Sequence, residues 1–304
     1  MKYPPLFFAP AILMTFCLLI ACNQKTKQDK VAKQKDPLPV VVKDTVASLP
    51  IIRYQIMKKK DWQAQKDSFP GQNHLALLAA INRTDSVHLY HLDSILVPER
   101  FDLPLDDYLP FPKEVPLLAD VDKLIIFSNP LQAFAAYKNG HLVIQGQSNT
   151  GKKSSQTPPK LYFANWKAKR SISTVDGSWV LKWNFNISNF GGIGFHEYGL
   201  PGYPASHSCC RLTGEDAEFL YTWTDQWILD GNKLAVNGTP VIVYGRYPFG
   251  SEKPWNALAS NPQAMRLNQD SMKAIIDPYL HEILQKQAER KTYLMLRDST
   301  VSGI

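Results

Sequence analysis

The stretch Leu131–Asn149, LQAFAAYKNGHLVIQGQSN, constrains the fold more than any other part of the chain. Asn139-Gly140 sits between two apolar runs. An Asn-Gly pair is the strongest short signal for a tight antiparallel hairpin, because both residues accept positive φ. Similar runs recur around it. KLIIFSN from Lys123 reads as a buried strand, and KLYFANWKA, SWVLKWNFNIS and VIVYG (Val241–Gly245) continue the pattern. Gly191, Gly192 and Gly194, just ahead of Phe195, mark a bend or a close backbone approach. Many short strands at regular spacing predict an α+β chain that is mainly β, with a β-sandwich or barrel-like core. With 304 residues, 44% of them hydrophobic, the chain can fill one or two such cores.

One helix interrupts the strands. Thr213-Gly214-Glu215-Asp216 has the capping-box form, and Ala217, Leu220, Tyr221 and Ile228 follow at helical spacing. Phe219, Trp223 and Trp227 lie on an adjoining stripe that reads as core rather than ligand site. The tail after Pro254 reads as helical, centred on Ser271–Arg290 and interrupted or started at Pro278. Ahead of the strands, Leu49–Met57 alternates weakly as a candidate strand. In residues 61–98 a Pro70-Gly71 turn precedes a helical stretch at Leu75, Leu77, Leu78 and Ile81. Asn82 comes next, then a second periodic segment at Val87, Leu89 and Leu92 that leads into ILVPER. This order resembles a degenerate LysM module, a glycan-binding unit, which makes residues 61–98 a candidate glycan contact. It lacks a clean start motif, and a small packing subdomain without ligand is the preferred reading.

The N-terminus reads as an address. Lys2 followed by LFFAPAILMTFCLLIA has the form of a signal peptide, with an apolar run too short for a comfortable membrane span. It ends in Leu19-Ile20-Ala21-Cys22, which resembles a bacterial lipobox, where cleavage falls before the cysteine and the sulfur carries lipid. The polar, lysine-rich NQKTKQDKVAKQKD that follows suits a tether. The expected location is the bacterial cell envelope, facing the periplasm or exterior, with membrane attachment through Cys22. The formal charge of +7 draws partly on Lys25, Lys27, Lys30, Lys33, Lys35 and Lys58–Lys60, which read as solvated charge. No nucleic-acid partner is called for.

His196–Leu212 reads HEYGLPGYPASHSCCRL, with Cys209 and Cys210 side by side. Cys17 lies in the apolar leader and Cys22 at its end, so the adjacent pair is what remains for chemistry. A disulfide between neighbours strains the intervening peptide. Two sulfurs without a second pair make a poor structural zinc site, and HEYGL lacks the second histidine of HExxH. No metal and no cofactor is called for. If Ser206–Arg211 is extended, His207, Cys209 and Arg211 share one face and Ser206, Ser208 and Cys210 the other. An imidazole and a guanidinium flanking a thiol can stabilise a thiolate or a developing oxyanion. The Pro/Gly loop from Gly199 to Pro204 can return His196 to its side. A proton acceptor matters, since a free thiol is only about a few per cent ionised near neutral pH.

His196, then Ser206-His207-Ser208-Cys209-Cys210-Arg211, then Asp216-Ala217 and Leu220-Tyr221 resemble the active-site signature of the L,D-transpeptidase (YkuD-like) catalytic domain family. Upstream, the hairpin with QSNTGK and then TPPKLYF resembles that family's opening hairpin, Ser/Thr-Gly turn and Thr-Pro, so the resemblance covers residues 122–246. It implies Cys209 as nucleophile, His196 as general base and later acid, and the backbone carbonyl of Glu197 orienting His196. Ser206, His207, Ser208 and Arg211 would surround the substrate and oxyanion, with backbone N–H groups near Cys209 forming the oxyanion hole. The implied reaction is acyl transfer on peptidoglycan stem peptides. A thioester forms on Cys209, D-Ala leaves, and an amine of another stem resolves the thioester as a 3→3 cross-link. Water or a protein lysine as acceptor would give an L,D-carboxypeptidase or wall attachment of a protein. A non-catalytic peptidoglycan-binding lipoprotein is the competing class. The family's glycine before the nucleophile is Ser208 here, which puts the backbone at that position in question, since glycine takes positive φ at little cost. The expected layout is a signal peptide over 1–21, a lipidated tether over 22–48, a small subdomain over 49–115, the catalytic domain over 122–246 and a C-terminal helical extension over 247–304.

Overall fold

The computed structural model describes residues 51–301; the leader, Cys22 and the tether lie outside them. Strand β1 (Tyr54–Lys58) leads into α1 (Lys59–Gln65), α2 (His74–Ile81) and α3 (Ser86–Leu89). Strand β2 (Ser94–Pro98) then returns antiparallel to β1, with Tyr54 opposite Pro98. Within the described residues the first strand begins at Tyr54, and just before it Arg53 O still accepts from the Glu99 N–H (2.9 Å). Leu92 lies beyond α3, in the turn before β2. Trp62, Leu78, Ile81, Leu89 and Leu96 fill the core of this lobe, joined by Trp255 and Leu258 from far along the chain.

Asn82 holds the lobe together. Its Nδ2 donates to the carbonyls of Leu78 (2.8 Å) and Leu96 (2.9 Å), and its Oδ1 accepts from the Leu96 N–H (2.8 Å). One buried amide thus bridges the end of α2 and the backbone of β2, doing for Leu96 what a neighbouring strand would do. Arg83 follows, 1% exposed and at φ 58°. It donates from Nε to Leu131 O (2.9 Å) and from Nη1 to Ala80 O (2.7 Å), tying the lobe to the sheets that follow.

Those sheets comprise β3 (Leu124–Ser128), β4 (Ala133–Lys138), β5 (His141–Gln147), β6 (Lys160–Phe163), β7 (Lys167–Ile172), β8 (Val180–Ser188), β9 (Ile193–Glu197) and β10 (Cys210–Leu212). Then come α4 (Gly214–Trp223), the short pair β11 (Ile228–Asp230) and β12 (Lys233–Val236), β13 (Pro240–Tyr244) and α5 (Gln269–Val301). Five strands form one sheet in the order β5-β4-β3-β13-β6, and four form a second in the order β10-β9-β8-β7. The fold is α+β and mainly β, a sandwich with a C-terminal helix. Asn139 and Gly140 take φ of 48° and 82°, the two positive values a two-residue hairpin requires. Ile125 and Phe127 of β3 pack between the sheets with Phe134, Phe185 and Phe195, while Leu124 and Ile126 meet Met272, Ile276 and Ile283 of α5. Burial on both faces explains a strand without polar alternation.

Three elements differ from the sequence reading. KLYFANWKA is two strands, one in each sheet. Ala164 N–H donates to Thr239 O (2.8 Å) and Asn165 N–H to Asn186 O (2.8 Å), so the chain changes sheets between them. Helix α4 has its expected Thr213 cap but stops at Trp223, leaving Trp227 and Ile228 outside. Thr224 turns extended (ψ 135°), and Asp225 is drawn to Lys123 (2.9 Å) and Thr239 Oγ1 (3.0 Å). Helix α5 neither starts nor breaks at Pro278 but runs through it. Pro278 forgoes one backbone bond, and Met272, Ile276 and Ile283 on either side are packed against the sheet. No helix of the described residues is long and apolar enough to cross a membrane.

Asn82→Ala removes three buried hydrogen bonds at once. The expected loss is about 2–4 kcal/mol, read as a lower urea midpoint at unchanged slope. A wild-type midpoint would contradict the bridging role.

Candidate active site

A cavity of about 140 Å³ lies over the face of the four-stranded sheet that turns away from the core between the sheets, lined among others by Trp179, His196, Tyr198, His207, Cys209 and Arg211. Strand β9 carries His196, and the parallel pairing of β10 on β9 sets Arg211 opposite His196 and Cys210 opposite Phe195. Cys210 is fully buried in the core between the sheets. Cys209, one residue earlier, is half-buried on the cavity wall. The turn from β8 into β9 needs its glycines. Gly192 sits at φ 58°, and a Cβ at Gly194 would come within 2.6 Å of the Phe185 carbonyl oxygen.

His196 is 3% exposed. Its Nδ1–H donates to the Glu197 carbonyl (2.8 Å), which leaves Nε2 with its lone pair. Burial pushes its pKa down to about 4; the Glu197 carbonyl opposes this and the Arg211 charge adds to it. The Cys209 thiol donates to Gly192 O at 3.6 Å, and no described residue bonds His196 to Cys209 directly. Burial raises the Cys209 pKa, while the Gly194 amide and Arg211 pull it back. The resting pair near neutral pH is therefore a thiol and a neutral imidazole, not a thiolate and an imidazolium. Such a pair can transfer a proton only as a new bond forms at sulfur.

Arg211 stacks on Tyr198, with Cζ 4.4 Å from the ring centroid, and its Nη1 donates to Gly199 O (3.4 Å). His207 packs against Trp179, and its Nε2 accepts from Lys152 Nζ (2.6 Å), so the proton of this ring sits on Nδ1. The Glu197 side chain faces Lys182 (3.2 Å). Among the described residues no group of three or more His, Cys, Asp or Glu is arranged to hold a metal.

The segment before Cys210 is not the extended run read from the sequence. Only Cys210–Leu212 is strand, and Ser208 takes φ 80°. That conformation breaks the alternation, so Ser206 lines the same cavity as His207, Cys209 and Arg211. Ser208 compensates locally. Its Oγ donates to Ser155 O (3.1 Å) and lies 3.1 Å from Ser155 Oγ. Ser206 Oγ donates to Cys209 O (2.6 Å). Lys152, Tyr198 and Trp179 were not singled out in the sequence. They reach the site from separate elements, and only their nearness in space connects them.

Residues 122–243 match the family model of the YkuD L,D-transpeptidase catalytic domain. That stretch, 122 of the 304 residues, is similar to the L,D-transpeptidase catalytic domain family. Among solved structures, an L,D-transpeptidase from Stackebrandtia nassauensis shares 23% identity over 42% of this chain and 57% of its own, at a TM-score of 0.35. An L,D-transpeptidase from Mycobacterium smegmatis shares 16% over 41% and 59%, at 0.33. L,D-transpeptidase 3 from Mycobacterium tuberculosis shares 18% over 50% and 75%, at 0.33. The chain spans under two thirds of the first two, and at these scores the likeness adds no weight to the family match. No curated protein matches the sequence.

Two predictions follow from the geometry. Ser208→Ala keeps the unfavourable φ and loses the Ser155 contacts, so it should cost about 1–2 kcal/mol in thermal unfolding; Ser208→Gly relieves the φ and should stay within about 1 kcal/mol of wild type. Equal losses for both would show that the positive φ is not what serine pays to hold. For His196, the unfolded chain titrates near the ordinary value of 6.5 and the folded one near 4. Below pH 6.5 the unfolded state gains a proton that the folded state refuses, so stability should fall between about pH 6.5 and 4, by roughly 3 kcal/mol from this group. The His196→Gln variant should lack that part of the slope in pH-dependent denaturant titrations.

Proposed function

We propose that this chain is an envelope-anchored L,D-transpeptidase that takes an acyl group from a peptidoglycan stem onto Cys209. One observation carries the reading. His196, with Nδ1–H committed to the Glu197 carbonyl, keeps a neutral Nε2 available in the cavity that also holds the Cys209 thiol. Cys210 is excluded from the same role by its burial in the core. The family match of residues 122–243 supports the reaction class.

Acylation begins as Cys209 Sγ bonds to the stem carbonyl carbon next to the terminal D-Ala, and its proton passes to His196 Nε2. The carbonyl π electrons move onto oxygen. Collapse breaks the C–N bond, His196 returns the proton to the leaving amine, and D-Ala departs. In the second half an amine of another stem attacks the thioester and gives its proton to His196. Sulfur then leaves and is reprotonated, and a 3→3 cross-link remains. Starting from a neutral pair suits this sequence, because charge develops only when substrate is present to share it. Arg211 and His207 line the cavity beside the thiol and meet the polar groups of the stem. A lipid on Cys22 holds the domain at the membrane, and residues 22–48 act as the tether.

Cys209→Ala should abolish D-Ala release from tetrapeptide stems, and Cys210→Ala should retain most of it. Mass spectrometry of the trapped acyl-enzyme should find the adduct on Cys209. An adduct on Cys210, or purified muropeptides left unchanged by wild type, would overturn the proposal. Among products, dimers indicate cross-linking, and tripeptides without dimers indicate water as the acceptor.

A further inference from the structure

The backbone at Cys209 is gripped by a loop that the acyl-transfer reading does not use. Residues 150–157 run alongside residues 205–208. Ala205 N–H and Ser206 N–H both donate to Thr150 O (3.1 Å each), and Lys152 N–H donates to Ser206 O (2.9 Å). Gly151 must be glycine there, since a Cβ would fall 2.0 Å from Ser155 O and 2.6 Å from Thr157 N. The loop closes on Thr157, which is 1% exposed and does not line the cavity. Thr157 Oγ1 accepts from Gly151 N–H (2.9 Å) and donates to Ser208 O (2.9 Å). A hydroxyl has one proton, so the incoming Gly151 bond leaves that proton for Ser208.

The consequence falls on the next peptide. No described peptide bond is cis, and in a trans peptide the carbonyl and the following N–H point in opposite directions. Thr157 holds the Ser208 carbonyl on the loop side, and the Cys209 N–H is turned the other way. That N–H donates to no described residue, although it belongs to the residue that carries the cavity thiol. The resemblance implies backbone N–H groups near Cys209 as the oxyanion hole; we infer that Thr157 is a positioning residue, which fixes the Ser208–Cys209 peptide so that the Cys209 N–H can serve there when Sγ adds to a carbonyl. Ser155 is its partner: its contacts with Ser208 Oγ hold the serine at positive φ. A non-glycine residue before the nucleophile is tolerated because this loop supports it. The inference rests on Cys209 being the acylated residue.

The test compares two reactions of Cys209 in the full chain. Acylation by a tetrapeptide stem passes through an oxyanion, and alkylation by iodoacetamide does not. Thr157→Val keeps the β-branched shape and removes the hydroxyl. Removing a preorganised oxyanion donor costs about a hundredfold or more in kcat, so misaiming one should lower kcat by at least about tenfold, with KM little changed. Alkylation should stay within about twofold, and Thr157→Ser should recover most of kcat. A folded Thr157→Val enzyme with wild-type kcat would overturn the inference. So would parallel losses in acylation and alkylation, which would mark a change in the thiol rather than in the oxyanion. If Thr157→Val melts well below wild type, the Thr157→Ser enzyme decides: it must keep kcat at a wild-type melting temperature, and loss of kcat there sinks the inference. Failure of wild type to form any acyl adduct on Cys209 would remove the proposed function and this inference together, an outcome distinct from the others.

Discussion

Cys210 pairs with Phe195 in the short parallel ladder of β10 on β9, and its side chain is buried between the sheets with Phe185, Phe195 and Leu212. The rest of the site hangs on this pairing. It sets Arg211 against His196 and leaves Cys209 at the last position before the strand, on the cavity wall. A slip of one residue would push Cys209 toward the core and carry Cys210 and Arg211 out of register with His196. The ladder is three pairs long; on its other edge Asn149 exchanges backbone hydrogen bonds with Arg211 (3.1 and 2.8 Å), and aromatic rings pack beneath it. Phe127 lies 5.8 Å from Phe195, and Phe185 lies 5.3 Å from Phe195.

Burial then decides the electrostatics. The same desolvation disfavours charge on both partners, raising the Cys209 thiol and lowering the His196 imidazole. The sequence suggested that His207 and Arg211 flank Cys209 to stabilise a thiolate or a developing oxyanion. In the folded chain His207 is engaged by Lys152, and Arg211 is stacked on Tyr198 and bonded to Gly199. The Arg211 charge still favours the Cys209 thiolate, but burial outweighs it. Among the described residues the His196 ring has an orienting carbonyl on Nδ1 and no carboxylate bonded to it.

Much of the framework was readable in one dimension. The Asn139-Gly140 hairpin, the buried run of β3 and the Thr213 cap each follow from local rules that need no distant partner. The failures share a cause. The split of KLYFANWKA depends on Thr239 and Asn186, the end of α4 on Lys123 and Thr239, and the continuity of α5 through Pro278 on the sheet beneath it. Each is a local preference overruled by residues far away in sequence. The first lobe shows both sides: its strand–helix–helix–strand order was partly visible around Pro70-Gly71 and Asn82, but the bonds from Asn82 to Leu96 were not.

By itself the sequence determined which residue types the site has to work with. The spacing from His196 to Arg211 named the thiol, the imidazoles and the guanidinium, and Ser208 stood out as the position where glycine was expected. Tertiary structure decided what those residues can do. It buried one cysteine and left the other on a cavity, chose the histidine tautomer through a backbone carbonyl, and set serine at φ 80° against Ser155 and Thr157. The physical reason is that residue identity is local, whereas burial, tautomer and peptide orientation are imposed by groups that meet only when the chain is folded.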